Sequence, residues 1–188
     1  MKLVRNHFSW SQLNLWETSP KAYVDRYIHE KPMFETKALL YGKRFSEDME
    51  QGFSDDPIMD KIINKVPRGI LQEHRVEAEF EGTTLLGFED SSEVGGFLEY
   101  KTGSKVWTQE RADNHGQLHF YSLIRLLNGK PMPKVRLIWL PTEDTQLTME
   151  IKEFWVDITD SNIENIKKRI RKAIKEIRAY KLKGRIKI

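Results

Sequence analysis

LLGFEDSSEVGGFLEYKTG, residues 85–103, combines a strand ending in Asp90 with a second strand that carries Glu99 and Lys101 two residues apart. Side chains alternate across a strand, so Glu99 and Lys101 project from one face. TLLGFED (84–90) and VGGFLEYKTG (94–103) read as successive strands, the latter ended by Thr102–Gly103. If the two are neighbours, Asp90 comes close to Glu99. Upstream, EHRVEAEFEG (73–82) sets Val76, Ala78 and Phe80 against charged neighbours, as in a half-buried strand, and Gly82 turns it into the Asp90 strand. Glu73, Glu77 and Glu79 read as solvated strand-face charges, with one of them a candidate to reach the site.

Working further out, the period changes. Residues 38–51 (ALLYGKRFSEDMEQ) form a predicted helix with Leu40, Tyr41, Phe45 and Met49 near one face, and residues 52–69 read as a loop with a short helical turn. In SWSQLNLWETSPKAYVDRYI (9–28), Leu13, Trp16, Tyr23 and Tyr27 recur at helical spacings, and Pro20 marks a junction between two helices. Residues 108–128 read as one helix closed by Asn128–Gly129. VRLIWLP (135–141) suits a buried strand, and LTMEIKEFWVD (147–157) another. Ser161 to Glu164 has capping-box spacing, after which Ile163, Ile166, Ile170, Ile174 and Ile177 form an apolar stripe. Helix, three strands, helix and two strands imply a single α/β domain over 1–188, a mixed central β-sheet flanked by α-helices.

The chain has 188 residues and no cysteine, which excludes disulfides, thiolate nucleophiles, Cys-ligated zinc and an iron–sulfur cluster. No apolar run has the length a membrane span needs, and MKLVRNHFSW lacks a signal peptide's apolar stretch, so a cytoplasmic protein is expected, with no membrane partner. Ser161 to Ile188 holds eleven Lys and Arg against two Glu, within a net charge of +3 for the whole chain. Lys167, Lys168, Arg171, Lys172, Lys175 and Arg178 are therefore the candidate contacts to an anionic polymer, DNA.

Two converging carboxylates, Asp90 and Glu99, offer hard oxygen ligands to Mg2+ or Mn2+, and an adjacent lysine can orient water or offset charge on a phosphate. Gly87 permits close backbone approach beside them. In GQLHFYSLI, Gln117 and Tyr121 lie at i and i+4 on one helical face. His115 and His119 share that spacing, but Gly116 stands where a zinc-helix Glu would be, so they read as surface or DNA-facing histidines.

The sequence resembles the PD-(D/E)XK nuclease superfamily in its RecB-like and lambda-type exonuclease branch. The likeness runs through Ser9, Ser11, Leu13, Pro20 and Tyr27, the helix YGKRFSEDME, the G-x-x-D…E-x-K core at Gly87, Asp90, Glu99 and Lys101, and Q-x-x-x-Y at Gln117 and Tyr121. It implies a restriction-endonuclease-like fold with an αβββαβ core, Asp90 and Glu99 as metal ligands, Lys101 as the catalytic lysine, and Gln117 and Tyr121 assisting at the site or on the DNA. The helical histidine of the branch is Ser46 here, which makes Glu47 the candidate ligand from that helix; Glu89 stands where the superfamily has Pro, and Ser19 where an iron–sulfur subset has Cys. The implied activity is an Mg2+- or Mn2+-dependent deoxyribonuclease acting on DNA ends or single strands, with a structure-specific or nicking endonuclease, or a non-catalytic DNA-binding module, as alternatives. A homo-oligomer or a recombination or replication partner fits the resemblance as well.

Overall fold

The structure is a computed structural model describing residues 6–32, 34–144 and 146–185, with side chains described through residue 180. Among these residues seven strands form a mixed sheet: β1 (His7–Ser9), β2 (Leu71–Phe80), β3 (Thr83–Glu93), β4 (Gly96–Gly103), β5 (Lys134–Glu143), β6 (Gln146–Leu147) and β7 (Lys152–Val156). β2, β3 and β4 run as antiparallel neighbours, β4 pairs parallel with β5, and β7 and β6 pair antiparallel with β5. The unforeseen element is β1, three residues that pair parallel with Thr84–Leu86 of β3. It is too short to show a period of its own.

Helices cover both faces. On one lie α1 (Trp10–Thr18), α6 (Gly116–Leu127) and α7 (Asp160–Arg185), which bury Leu13, Leu118, Phe120, Ile124 and the full isoleucine stripe of α7 against Leu85, Phe97, Val135 and Leu137. On the other, α3 (Lys37–Gln51) and α4 (Pro57–Ile63) pack Phe45, Met49, Met59 and Ile62 on Leu98, Tyr100 and Ile138. α2 (Pro20–Tyr23) starts at the expected junction, with Ser19 accepting from Ala22 N–H, and widens into a π-turn over Val24–Ile28.

Local chemistry corrects several expectations. The 52–69 segment holds a full helix, α4, capped by Asp56, which accepts from Ile58 and Met59 N–H. Leu40 is exposed rather than buried, because it lies five and nine residues from Phe45 and Met49, on the far side of α3 from them. The single helix expected over 108–128 is two: α5 (Gln109–Asp113) stops at Asn114, and His115 takes an extended conformation before α6. Gly116 is needed at the restart, since a Cβ there would lie 2.4 Å from the Trp10 ring. The cap of α7 is Thr159 with Asn162, not Ser161 with Glu164: Asn162 N–H donates to Thr159 Oγ1 at 3.2 Å and Thr159 N–H to Asn162 Oδ1 at 2.9 Å.

Glu89 is 0% exposed and forms a two-pronged ion pair with Arg125 of α6, both contacts at 2.6 Å. The same guanidinium donates to Ser92 Oγ at 2.9 Å and to the Gly96 carbonyl at 2.6 Å, pinning α6 to β3 and β4 together. Removing one partner of such a pair leaves a buried uncompensated charge, at a cost of roughly 3–5 kcal/mol. Arg125→Met should lower the unfolding free energy measured in urea by that amount, and Glu89→Leu/Arg125→Met should recover much of the loss. Equal stability of Arg125→Met and wild type would show that the clamp carries no weight.

Candidate functional site

The site is a fork in the sheet. β2 occupies one edge of β3 along its length, while the other edge pairs with β1 at Thr84–Leu86 and with β4 only at Ser91–Glu93. Between them Gly87–Asp90 pairs with neither. The alternation of β3 also breaks here: Glu89 and Ser92, three residues apart, reach the same Arg125, although residues three apart on a regular strand face opposite sides. The irregular step falls at Asp90–Ser91. Across the β2–β3 pair, in the register of His74 with Glu89 and Gln72 with Ser91, Glu73 stands opposite Asp90 with a left-handed φ of 47°.

Asp90 turns into the fork and its Oδ2 accepts the Tyr100 N–H at 2.7 Å, which brings it against Glu99. Glu99 is 1% exposed. Its Oε1 accepts from Lys101 Nζ at 2.5 Å; its Oε2 is buried and receives no hydrogen bond. Lys101 Nζ also donates to Gln117 Oε1 at 2.9 Å, and Gln117 Nε2 to the Tyr121 hydroxyl at 3.1 Å. The Phe88 backbone N–H reaches that same hydroxyl. Tyr121 fits because Gly87 has no side chain: a Cβ there would stand 2.4 Å from Tyr121 Cε1.

The structure therefore brings Asp90, Glu99, Lys101, Gln117 and Tyr121 into one contiguous network. Glu47 does not join it. The residue after Ser46 is a further 100° round the helix, and Glu47 is exposed, 4.0 Å from Lys43; Ser46 itself donates to the Gly42 carbonyl. Glu73, of the three acids the one that reaches the site, is half-buried and interacts with Asp90, Glu99 and, from α3, Glu50. Its left-handed conformation turns it inward, and nothing in the local sequence signals that. Among the described residues no three His, Asp or Glu side chains converge on one point, so the carboxylate arrangement is a pair with a flanking acid.

His115 and His119 are not surface groups. His119 is buried, with Nε2 2.8 Å from the Asp113 carbonyl oxygen. His115 is wedged edge-on between Trp10 and Trp107, and burial, with the charge of Lys101 nearby, pushes its imidazole down to about 3, so it is neutral. The basic helix α7 is largely engaged elsewhere. Lys167 pairs with Glu164 and Arg171 with Glu81, and Arg178 donates to Thr83. Lys168, Lys172 and Lys175 are exposed. Thr83 is seven strand residues from Asp90, roughly 23 Å, so the Arg171–Arg178 segment lies well away from the fork.

Burial pushes Glu99 up to about 8, with the facing Asp90 charge adding to it against the pull of Lys101, and pushes Glu73 up to about 7, with Asp90 and Glu50 adding to that. Asp90 is raised as well, by burial against the opposing effects of Lys101 and the Tyr100 N–H. For Lys101, burial disfavours the charge, but Glu99 and Asp90 prevail and its pKa is raised. Burial and mutual repulsion thus favour the protonated form of the pair when no counter-charge beyond Lys101 is present.

No family model matches the chain, and no curated protein sequence does. Among solved structures, one similar fold is a Eubacterium rectale protein provisionally assigned as an exonuclease, with a TM-score of 0.66 at 12% identity over 93% of this chain and 82% of that one. Another is LHK-Exo, crystallised in complex with dAMP, with a TM-score of 0.52 at 12% identity over 94% of this chain and 90% of that one. The mixed sheet with flanking helices is the fold of these proteins. No helix among the described residues is long and apolar enough to cross a membrane.

The raised carboxyls make a prediction with a definite sign. Their folded-state pKa values exceed the unfolded ones, so the stability they contribute is fully present below the ordinary carboxylate range and is lost as pH rises through about 7 to 8. In EDTA, the thermal midpoint should fall between pH 5 and 8.5, and Glu99→Gln should flatten that fall. Parallel profiles for wild type and Glu99→Gln would show that Glu99 is ionised throughout.

Proposed function

We propose that this chain is a metal-dependent DNA nuclease of the PD-(D/E)XK superfamily, RecB-like or lambda-type branch, hydrolysing phosphodiester bonds as an exonuclease on DNA ends or single strands. The observation that carries the reading is Glu99: its Oε2 is buried and given no hydrogen bond, its carboxylate lies against that of Asp90, and the Lys101 ammonium sits alongside. That donor set fits a hard divalent cation, which would neutralise the pair, and the resemblance in sequence and the fold shared with LHK-Exo and the Eubacterium rectale protein support the same class.

Asp90 and Glu99 would hold Mg2+ or Mn2+. Such an ion supplies an acidified water and Lewis-acid stabilisation of the phosphate. The carboxylates keep Lys101 charged against its burial, and as an ammonium it would hold a positive charge against a phosphate oxygen or orient the attacking water. Gln117 holds Lys101 through its carbonyl and Tyr121 through its amide, which fixes the ammonium relative to α6. The hydroxyl of Tyr121 is pushed far above the range of a proton acceptor, mainly by burial, so it contributes as a neutral hydrogen-bonding group.

Cleavage of a linear DNA should require Mg2+ or Mn2+ and stop in EDTA, while a covalently closed circle should resist. Lys101→Ala should lower turnover by at least about a hundredfold, a loss in the range found for removing one electrostatic stabiliser, with DNA binding retained. Wild-type rates in Lys101→Ala would place the chemistry elsewhere. The exposed lysines of α7 give a separate test: Lys168→Ala/Lys172→Ala/Lys175→Ala should flatten the fall of DNA affinity with salt while leaving turnover at saturating DNA unchanged. An unaltered salt slope would remove α7 from the DNA path.

A further inference from the structure

Phe88 lies two residues before Asp90 on β3 and is 45% exposed. Up to Glu89 the strand alternates regularly: Leu85, Gly87 and Glu89 face α6, where they meet the core, Tyr121 and Arg125, so Thr84, Leu86 and Phe88 face the opposite side. The matching residues of β2 are Glu79, Glu77 and Arg75, in register with Thr84, Leu86 and Phe88, and all three are exposed. This is an uncovered sheet face that runs up to the fork. On it Phe88 is a large flat apolar ring two strand residues before Asp90, and its own backbone N–H is tied into the site through Tyr121.

Resting on the nuclease reading, we infer that the Phe88 ring is a stacking platform for the nucleobase next to the scissile phosphate, so that the substrate at the fork is a single strand or a frayed end. Two strand residues span about 6.6 Å, close to the reach of one nucleotide along an extended strand, so a phosphate at Asp90 and Glu99 sets the adjoining base over Phe88. Charge selects the occupant. Glu77 and Glu79 lie on this face with Arg75, which is itself paired with Glu77 at 2.6 Å. A ladder of duplex phosphates is repelled there, whereas an uncharged base is not. Bases inside a duplex are stacked on one another and cannot present a face to the ring, so the platform acts on a strand that is already open.

The test is steady-state cleavage of a single-stranded oligonucleotide in Mg2+ by wild type, Phe88→Ala, Phe88→Leu and Phe88→Trp. Base–aromatic stacking is worth about 1–3 kcal/mol, so Phe88→Ala should raise KM at least about fivefold with kcat within about twofold. Phe88→Trp should restore KM and Phe88→Leu, apolar without a π face, should not. A 2-aminopurine beside the scissile position should be quenched on binding in Ca2+ by wild type and not by Phe88→Ala. An unchanged KM in Phe88→Ala, or full rescue by Phe88→Leu, overturns the platform while wild-type cleavage leaves the nuclease reading standing. Absence of wild-type cleavage in both Mg2+ and Mn2+ overturns both.

Discussion

Where β3 parts from β4, the Tyr100 N–H takes the carboxylate of Asp90 as its acceptor. The rest of the site follows from that substitution. A buried N–H left without an acceptor is costly, so the strands can separate only if something fills the place. Asp90 fills it, and in doing so is drawn against Glu99, its neighbour across the fork. One residue away the Arg125 guanidinium grips Glu89, Ser92 and the Gly96 carbonyl, holding β3, β4 and α6 at fixed separation just below the point of divergence. The fork is thus open at Asp90 and clamped immediately beside it.

The parts legible in the sequence are those set by a local period. Glu99 and Lys101 are two apart on a strand, and Gln117 and Tyr121 four apart on a helix, and each spacing fixes a shared face whatever the tertiary fold. The isoleucines of α7 obey the same logic. What escaped depends on contacts distant in sequence. Glu73 reaches the site through a left-handed φ that no composition rule flags. His115 is held between Trp10 and Trp107, from separate elements, and lies just ahead of a helix whose start is set by the close approach of Trp10 to Gly116. Glu47 stays out of the site for the opposite reason: adjacency to Ser46 in sequence is not adjacency in space on a helix, where the next residue is about 100° round.

Charge illustrates the same distinction. The C-terminal segment is strongly basic as a string, yet in the folded chain Glu17, Glu81 and Glu164 are spent on Arg169, Arg171 and Lys167. Exposed pairs of this kind contribute little stability, but they lower the field that a polyanion meets. A count of lysines and arginines along the sequence therefore overstates the cationic surface, and the acids that reduce it come from α1, the β2–β3 turn and α7 itself.

Glu99 reconciles demands that a single oxygen could not. Its Oε1 serves Lys101, favouring the ammonium where burial disfavours charge, and its Oε2 is buried and free of hydrogen bonds. A proton between the carboxylates satisfies that second oxygen at low pH, and a cation can satisfy it when the proton leaves. Because Lys101 uses Oε1, a cation held by Asp90 and Glu99, as proposed, would leave the Lys101–Gln117–Tyr121 chain of hydrogen bonds in place. The hydrogen bonds from Lys101 to Gln117 and on to Tyr121 anchor the positive group to α6, as the proposed electrostatic role would require.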